Sequence, residues 1–231
     1  MKLKVASLVI FLAGSALFTG SIIRSYNKAP KAPRSFVVQY LVSRSEDGGP
    51  LVPYEFRVRA VTASGEWKET RYSFEGKVST WGGAADGLYL VSGKSRQYYG
   101  EYNLELARTA MRYEEGLKKH PQLVRTELVA GLKTYVLREP NGVEGSFSAE
   151  TGITTLKEAI YSEPASDTVI HLQEALNVEF RELSEGEAQL PDLPVAFDIA
   201  ERKAQSLRAA GHSERADILL QAINRLKTTS K

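Results

Sequence analysis

The stretch LVRTELVAGLKTYVLREPNGVEGSFSAETGITTLKEAIYSEPASDTVIHLQEALNVEFREL, residues 123–183, decides the fold. Inward positions recur at every second residue: Leu132 with Val136, Val143 with Phe147, then Ile153, Thr155, Ala159 and Tyr161. That period belongs to a strand with one buried side. The breaks between runs are turn chemistry, at Pro140-Asn141-Gly142, Thr151-Gly152 and Pro164-Ala165-Ser166-Asp167. Strands joined by turns this short pair antiparallel, because a parallel pair needs a crossover of about a dozen residues or more. The last run, Thr168 to Leu183, is long for one strand and predicts a bend or bulge near Ala175 to Asn177. A bent, twisted antiparallel sheet curls towards a half-barrel.

Upstream of this meander, Asn103 is positioned to cap a helix from Leu104 to Lys119. Leu106, Ala110, Tyr113 and Leu117 share its apolar face, which predicts an inserted helix covering the sheet. Further back, Phe36 to Arg44, Tyr54 to Ala63 and Trp67 to Phe74 read as strands, and Leu88 to Val91 with Arg96 to Tyr99 as a hairpin. On Tyr54 to Ala63, Tyr54, Phe56, Val58 and Ala60 face one way and Glu55, Arg57 and Arg59 the other. Gly82, Gly83 and Asp86-Gly87 predict a loop around Trp81.

Downstream, Leu190-Pro191-Asp192-Leu193-Pro194 stops the sheet. Phe197 to Ala209 and Ser213 to Lys227 follow as a helical hairpin, with Gly211 just past the first helix and Ser213 capping the second. Phe197, Ala200, Ala204 and Leu207 face Leu219, Ala222, Ile223 and Leu226. One such hairpin cannot bury a core alone, so it is expected to pack on the sheet or on a second copy. The predicted class is α+β: a curved antiparallel sheet, or half-barrel, over 36–195, covered by the inserted helix and followed by the hairpin at 196–231.

At 231 residues the chain has room for one sizeable core. The formal charge of +2 hides an uneven distribution. Six basic groups and no acid fall in the first 35 residues, whereas residues 36–196 carry 17 basic and 24 acidic side chains, a formal −7. A body of that sign repels phosphate backbones and argues against a nucleic-acid partner. The absence of cysteine excludes a disulfide framework, a thiolate metal site, a cysteine nucleophile and a lipidated N-terminal cysteine.

Met1 to Lys4 is a short positive region, and Val5 to Ile23 is a run of 19 residues without a charge. Two readings of residues 1–23 stand side by side. One is a cleaved signal peptide, with small-residue sites at Ala13-Gly14-Ser15 or Gly14-Ser15-Ala16. The other is a retained membrane anchor, since the run is long enough to span a bilayer. Both place the body outside the cytoplasm; the anchor reading ties it to the inner membrane by residues 5–23. Residues 24–35, with Ala29-Pro30-Lys31-Ala32-Pro33, form a stiff linker.

No constellation for catalysis emerges. His120, His171 and His212 lie on different elements without ligand spacing, so no metal site is expected. Ser92-Gly93-Lys94-Ser95 contains Gly-Lys-Ser, but a phosphate loop needs glycine at the position of Leu88, and the context is a hairpin. No cofactor is implied. Aromatic content points instead to binding: Trp67, Tyr72, Phe74, Trp81, Tyr89, Tyr98, Tyr99 and Tyr102 fall within 36 residues. On a curved sheet, Trp67, Phe74, Trp81, Tyr89 and Tyr98 are the candidates for lining an apolar cavity; alternatively they are ordinary core.

An exported N-terminus, strands, an inserted helix and a long meander with turns at Glu75-Gly76-Lys77, Asp86-Gly87 and Thr151-Gly152, ending at Leu190-Pro191, resembles the superfamily of periplasmic outer-membrane lipoprotein carrier proteins. The N-terminal domain of the periplasmic sigma-E regulatory protein is similar to these. The resemblance covers about residues 36–195. It implies an unclosed antiparallel barrel covered by helices, with an apolar cavity for acyl chains. The chain departs from the carriers in lacking their Arg-Pro segment before the third strand and in adding the hairpin. No family residue carries over to a numbered position. Two functional expectations follow: a non-catalytic extracytoplasmic binder of a lipid or other hydrophobic group, or an envelope assembly or sensing module that partners or self-associates through 196–231.

Overall fold

The computed structural model describes residues 34–46, 48–102, 114–152 and 154–229. Residues 1–33 with the signal-or-anchor run, Asn103 with the first part of the expected helix, and Ile153 lie outside the described residues. Twelve strands run in chain order: β1 (Phe36–Arg44), β2 (Val52–Val61), β3 (Trp67–Ser73), β4 (Val78–Ala84), β5 (Gly87–Ser92), β6 (Ser95–Gly100), β7 (Leu123–Val129), β8 (Leu132–Arg138), β9 (Val143–Phe147), β10 (Thr155–Tyr161), β11 (Val169–Phe180) and β12 (Val195–Ala196). The described helices are α1 (Glu114–Lys119), α2 (Asp198–Ala209) and α3 (Ser213–Thr229).

The strands form one open sheet in the order β12-β6-β5-β4-β3-β2-β1-β11-β10-β9-β8-β7, with different strands at its two edges, so it does not close into a barrel. The described registers are antiparallel except for the short parallel pair of β12 with β6. Within the described residues the chain divides into two compact units. One holds Leu41–Pro53 and residues 114–177; the other holds Arg34–Tyr40, residues 54–102 and residues 178–229.

In the first unit, β7 to β10 form the expected meander. The turn from β8 to β9 uses Gly142 at φ +82°, and the Asn141 side-chain oxygen accepts the Val143 N–H at 3.1 Å. The turn from β7 to β8 was not marked by the spacing: it places Ala130 at φ +50° and Gly131 at φ +78°. Leu117 of α1 packs with Tyr135, Leu137, Phe147 and Leu123, so the described end of the inserted helix covers one face of the meander. Pairing across β8 and β9 sets Val136 opposite Ser146 and Tyr135 opposite Phe147, so Val136 and Phe147 occupy opposite faces. The face bearing Val136 is charged as well as apolar. Arg125 reaches Glu144 at 2.8 Å, the Tyr161 hydroxyl donates to Glu144 at 3.1 Å, and Ser146 donates to Glu127 at 2.8 Å. Burial would raise the Glu144 carboxyl, but Arg125, Tyr161 and Arg138 hold it below the usual carboxylate range. Strand β11 runs to Phe180 and carries the bulge of this pair at Ile170, the residue skipped where Ile160 faces His171 and Tyr161 faces Val169.

In the second unit, β4 replaces the loop expected around Trp81. Glycine weakens a strand interior but permits close approach, and here two approaches require it. A Cβ on Gly82 would sit 2.7 Å from the Trp67 carbonyl oxygen and from the Leu190 side chain; one on Gly83 would meet the Tyr102 ring at 3.0 Å. The helical hairpin packs on β5 and β6 of this unit. Ala200, Ala204, Ala216 and Ala222 keep the helices close to Tyr89 and Tyr98, with Leu219 and Ile223 completing the cluster. Between the helices Gly211 adopts φ +81°; its N–H bonds the Arg208 carbonyl and the His212 N–H bonds Leu207, which closes α2 as a Schellman motif.

Candidate functional site

Directly paired residues of antiparallel strands share a face, so the registers of β2 to β6 define what each face of the second unit carries. On one face, Arg59 stands opposite Glu69, Glu69 opposite Trp81, and Trp81 opposite Leu90; Val61, Trp67, Gly83 and Leu88 form the neighbouring row. A third row sets Arg57 directly opposite Arg71. The aromatic and basic positions alternate, and the contacts are diagonal. The Arg59 guanidinium lies 4.7 Å from the centre of the Trp67 ring, and that of Arg71 lies 4.8 Å from Trp81. Trp67 meets Tyr102 edge-on at 6.4 Å and Trp81 meets Tyr99 at 5.0 Å. The Tyr102 hydroxyl donates to the Gly65 carbonyl at 2.6 Å and so fixes its ring beside Trp67.

Glu69 is the centre of the charged part. It is fully buried; Arg59 donates from Nε at 2.8 Å and approaches from Nη2 at 2.6 Å, both to Oε2, while Arg71 Nε donates to Oε1 at 2.7 Å. Arg57 donates to Glu55 at 2.5 Å. Burial on its own would raise the Glu69 carboxyl, but Arg59, Arg71 and Arg57 overcome it and hold the group at about 2. Burial likewise opposes the charge of Arg59, and the Glu69 carboxylate more than restores it. Arg71 is different. Burial pushes its guanidinium below the ordinary value, Glu69 offsets part of that, and Arg57 across the strand pair adds to the depression.

On β5 and β6 the opposite face is filled by the protein itself. Tyr89 and Tyr98, paired across β5 and β6, are 0% exposed and meet edge-on at 5.7 Å, with Phe197 5.8 Å from Tyr98. Burial pushes the Tyr98 hydroxyl up to about 12, and the hydroxyl has no hydrogen-bond partner among the described residues. Phe74 sits in the turn after β3, 63% exposed, near exposed Tyr72 and Val78.

The five residues expected to line a cavity are therefore distributed over three places. Trp67 and Trp81 come together on the basic face, Tyr89 and Tyr98 come together under the hairpin, and Phe74 stands at a turn. Sequence reasoning missed Arg57, Arg59, Glu69 and Arg71 as site residues. Their signal was the alternation of like-spaced charges on two adjacent strands, Arg57 and Arg59 on β2 with Glu69 and Arg71 on β3. No three His, Asp or Glu side chains among the described residues gather at metal-binding range, and no described helix is long and apolar enough to cross a membrane.

The fold and this face define an open, antiparallel-dominated sheet carrying helices, with one face of its second unit left to half-buried aromatic and basic side chains. Among solved structures the chain is similar to MucB, at 16% identity over 80% of this chain and 66% of that one, with a TM-score of 0.42. It is also similar to a LolA superfamily protein from Nitrosomonas europaea (12% identity, 76% of this chain and 99% of that one, TM-score 0.35) and to LprF from Mycobacterium bovis (12%, 75% and 98%, 0.31). The chain spans 66% of MucB and 56% of the chain matched in the MucA/MucB complex of Pseudomonas aeruginosa. No family model and no curated protein matches the sequence.

Proposed function

We propose that this chain is a non-catalytic, extracytoplasmic binding protein for a lipid or other hydrophobic group, held at the membrane by residues 5–23. One observation carries the reading. Of the two faces of β5 and β6, one is covered by the hairpin, while on the other face of β3 to β6 Trp67, Trp81, Leu88, Leu90 and Tyr99 stay only partly buried. Large apolar side chains left half-covered on one sheet face form a surface that gains by taking an apolar ligand. The rival, a module that partners through residues 196–231, has less surface to use, since the apolar side of the hairpin is already occupied by Tyr89 and Tyr98.

The chain's two tryptophans both stand on this face, so intrinsic fluorescence reports on it directly. In full-length protein held in lipid nanodiscs, brominated long-chain acyl compounds should quench the emission saturably, and native mass spectrometry of membrane-extracted protein should show a bound acyl species. Absence of both saturable quenching and added mass overturns the reading.

A further inference from the structure

Three guanidinium groups and two carboxylates share the centre of the aromatic face, and their side chains are all at most 20% exposed. Among the described residues, Arg57 pairs with Glu55 and both Arg59 and Arg71 pair with Glu69. Sheets avoid setting like charges directly opposite each other. Yet Arg57 and Arg71 are direct cross-strand partners.

Arg71 is the arginine of the group with N–H groups left over among the described residues. Its Nε is committed to Glu69 and its flat face rests on Trp81, while neither Nη atom has a hydrogen-bond partner among the described residues. A guanidinium fixed in this way offers its remaining N–H groups at a set angle, the arrangement that binds carboxylate or phosphate oxygens by paired hydrogen bonds. Burial, with a smaller part from the like charge of Arg57, disfavours the Arg71 cation, and an anion between the two arginines would offset the repulsion. Apolar surface begins in the rows next to Arg71, at Trp81 with Leu90 and Tyr99 and then at Trp67.

Resting on the binding function proposed above, we infer that Arg71, with Arg57 and Arg59, is an anion subsite, and that the ligand is an anionic amphiphile. Its carboxylate or phosphate lies against the Nη edge of Arg71, and its chain runs over the tryptophans. Glu69 positions the arginines and does not touch the ligand.

Three probes of equal chain length separate the outcomes: a brominated fatty acid, the corresponding alkyl phosphate and the corresponding alcohol. Each is titrated against tryptophan emission of the full chain in nanodiscs of zwitterionic lipid. The acid or the phosphate should bind at least about 10-fold more tightly than the alcohol, the scale of one charge-assisted hydrogen bond pair. Whichever anion binds more tightly identifies the headgroup. Arg71→Gln should bring the anionic probe down to the alcohol's affinity and leave the alcohol unchanged, and Arg71→Lys, which keeps the charge without the fork, should fall between. Equal binding of all three probes to the unaltered protein overturns the subsite and leaves the hydrophobic reading standing. Saturable quenching by none of them overturns both. The comparison in unaltered protein decides the matter even where Arg71→Gln does not fold.

Discussion

Glu69 holds the charged group together because, among the described residues, it is the carboxylate shared by two of the three arginines. Glu69→Gln would keep the size and lose the charge, leaving buried guanidinium groups without their counter-ion. Breaking a buried pair from one side costs about 3–5 kcal/mol, and a loss of that order is expected in urea unfolding at neutral pH. The same group gives a pH dependence of known sign. Its folded value of about 2 lies below the value near 4.5 of an unfolded glutamate. Its contribution is therefore complete above about pH 4.5 and is lost as pH falls towards 2. Unfolding free energies measured between pH 6 and pH 2.5 should fall more steeply for the native chain than for Glu69→Gln. Two tyrosines supply the opposite kind of comparison. The Tyr135 hydroxyl donates to Glu114 at 2.6 Å, so Tyr135→Phe should cost about 1 kcal/mol. The buried Tyr98 hydroxyl has no described partner, so Tyr98→Phe should be neutral or stabilising by up to about 1 kcal/mol, as read from paired denaturation curves.

The turn between β7 and β8 illustrates how an element can carry correctable strain. A two-residue hairpin turn with φ positive at both centres favours Asn-Gly, and here alanine occupies the first position at φ +50°. The left-handed conformation costs a residue with a Cβ about 1–2 kcal/mol, and asparagine tolerates it better. Ala130→Asn should raise the unfolding free energy by about 0.5–1 kcal/mol, a shift readable by thermal melting. Turns of this sort also mark how far the elements could be read from sequence. The bounds of β1, the antiparallel meander and the Gly211 helix end follow from local spacing and turn chemistry. Strand β4 did not, because Gly82 and Gly83 look like a loop until Leu190, Tyr102 and Trp67 are known to lie against them. Membership of a face was legible within each strand and not across strands. Arg57 and Arg59 alternate correctly on β2, but whether their side is solvent or a site depends on the pairing that brings Glu69 and Arg71 beside them. The five aromatic candidates scattered for the same reason: each turn resets which side an odd-numbered residue occupies.

The two compact units have separate clusters of buried side chains, and the C-terminal hairpin belongs to one of them. Removing residues 197–229 would strip the cover from Tyr89 and Tyr98, both 0% exposed, and delete every helical member of their cluster. A buried aromatic side chain accounts for about 150–250 Å² of surface, so uncovering two of them forfeits several kcal/mol of a total stability that is itself only about 5–15 kcal/mol. A hairpin that merely carried a partner site would leave the remainder intact. The packing predicts instead that the truncated chain loses slow amide exchange in β5 and β6 and binds a hydrophobic dye there. Amides around Tyr135, Leu137 and Phe147 draw on a different cluster and should keep more of their protection. Hydrogen exchange resolved by peptide, on full-length and truncated chains, distinguishes the cases: unchanged protection in β5 and β6 after truncation would mean that the hairpin is not part of that core. The same experiment bears on ligand binding, because β4 to β6 present Trp81, Leu90 and Tyr99 on one side and Tyr89 and Tyr98 on the other. If the hairpin stabilises those strands, truncation should weaken quenching of the tryptophans by an acyl probe without any hairpin residue touching the ligand.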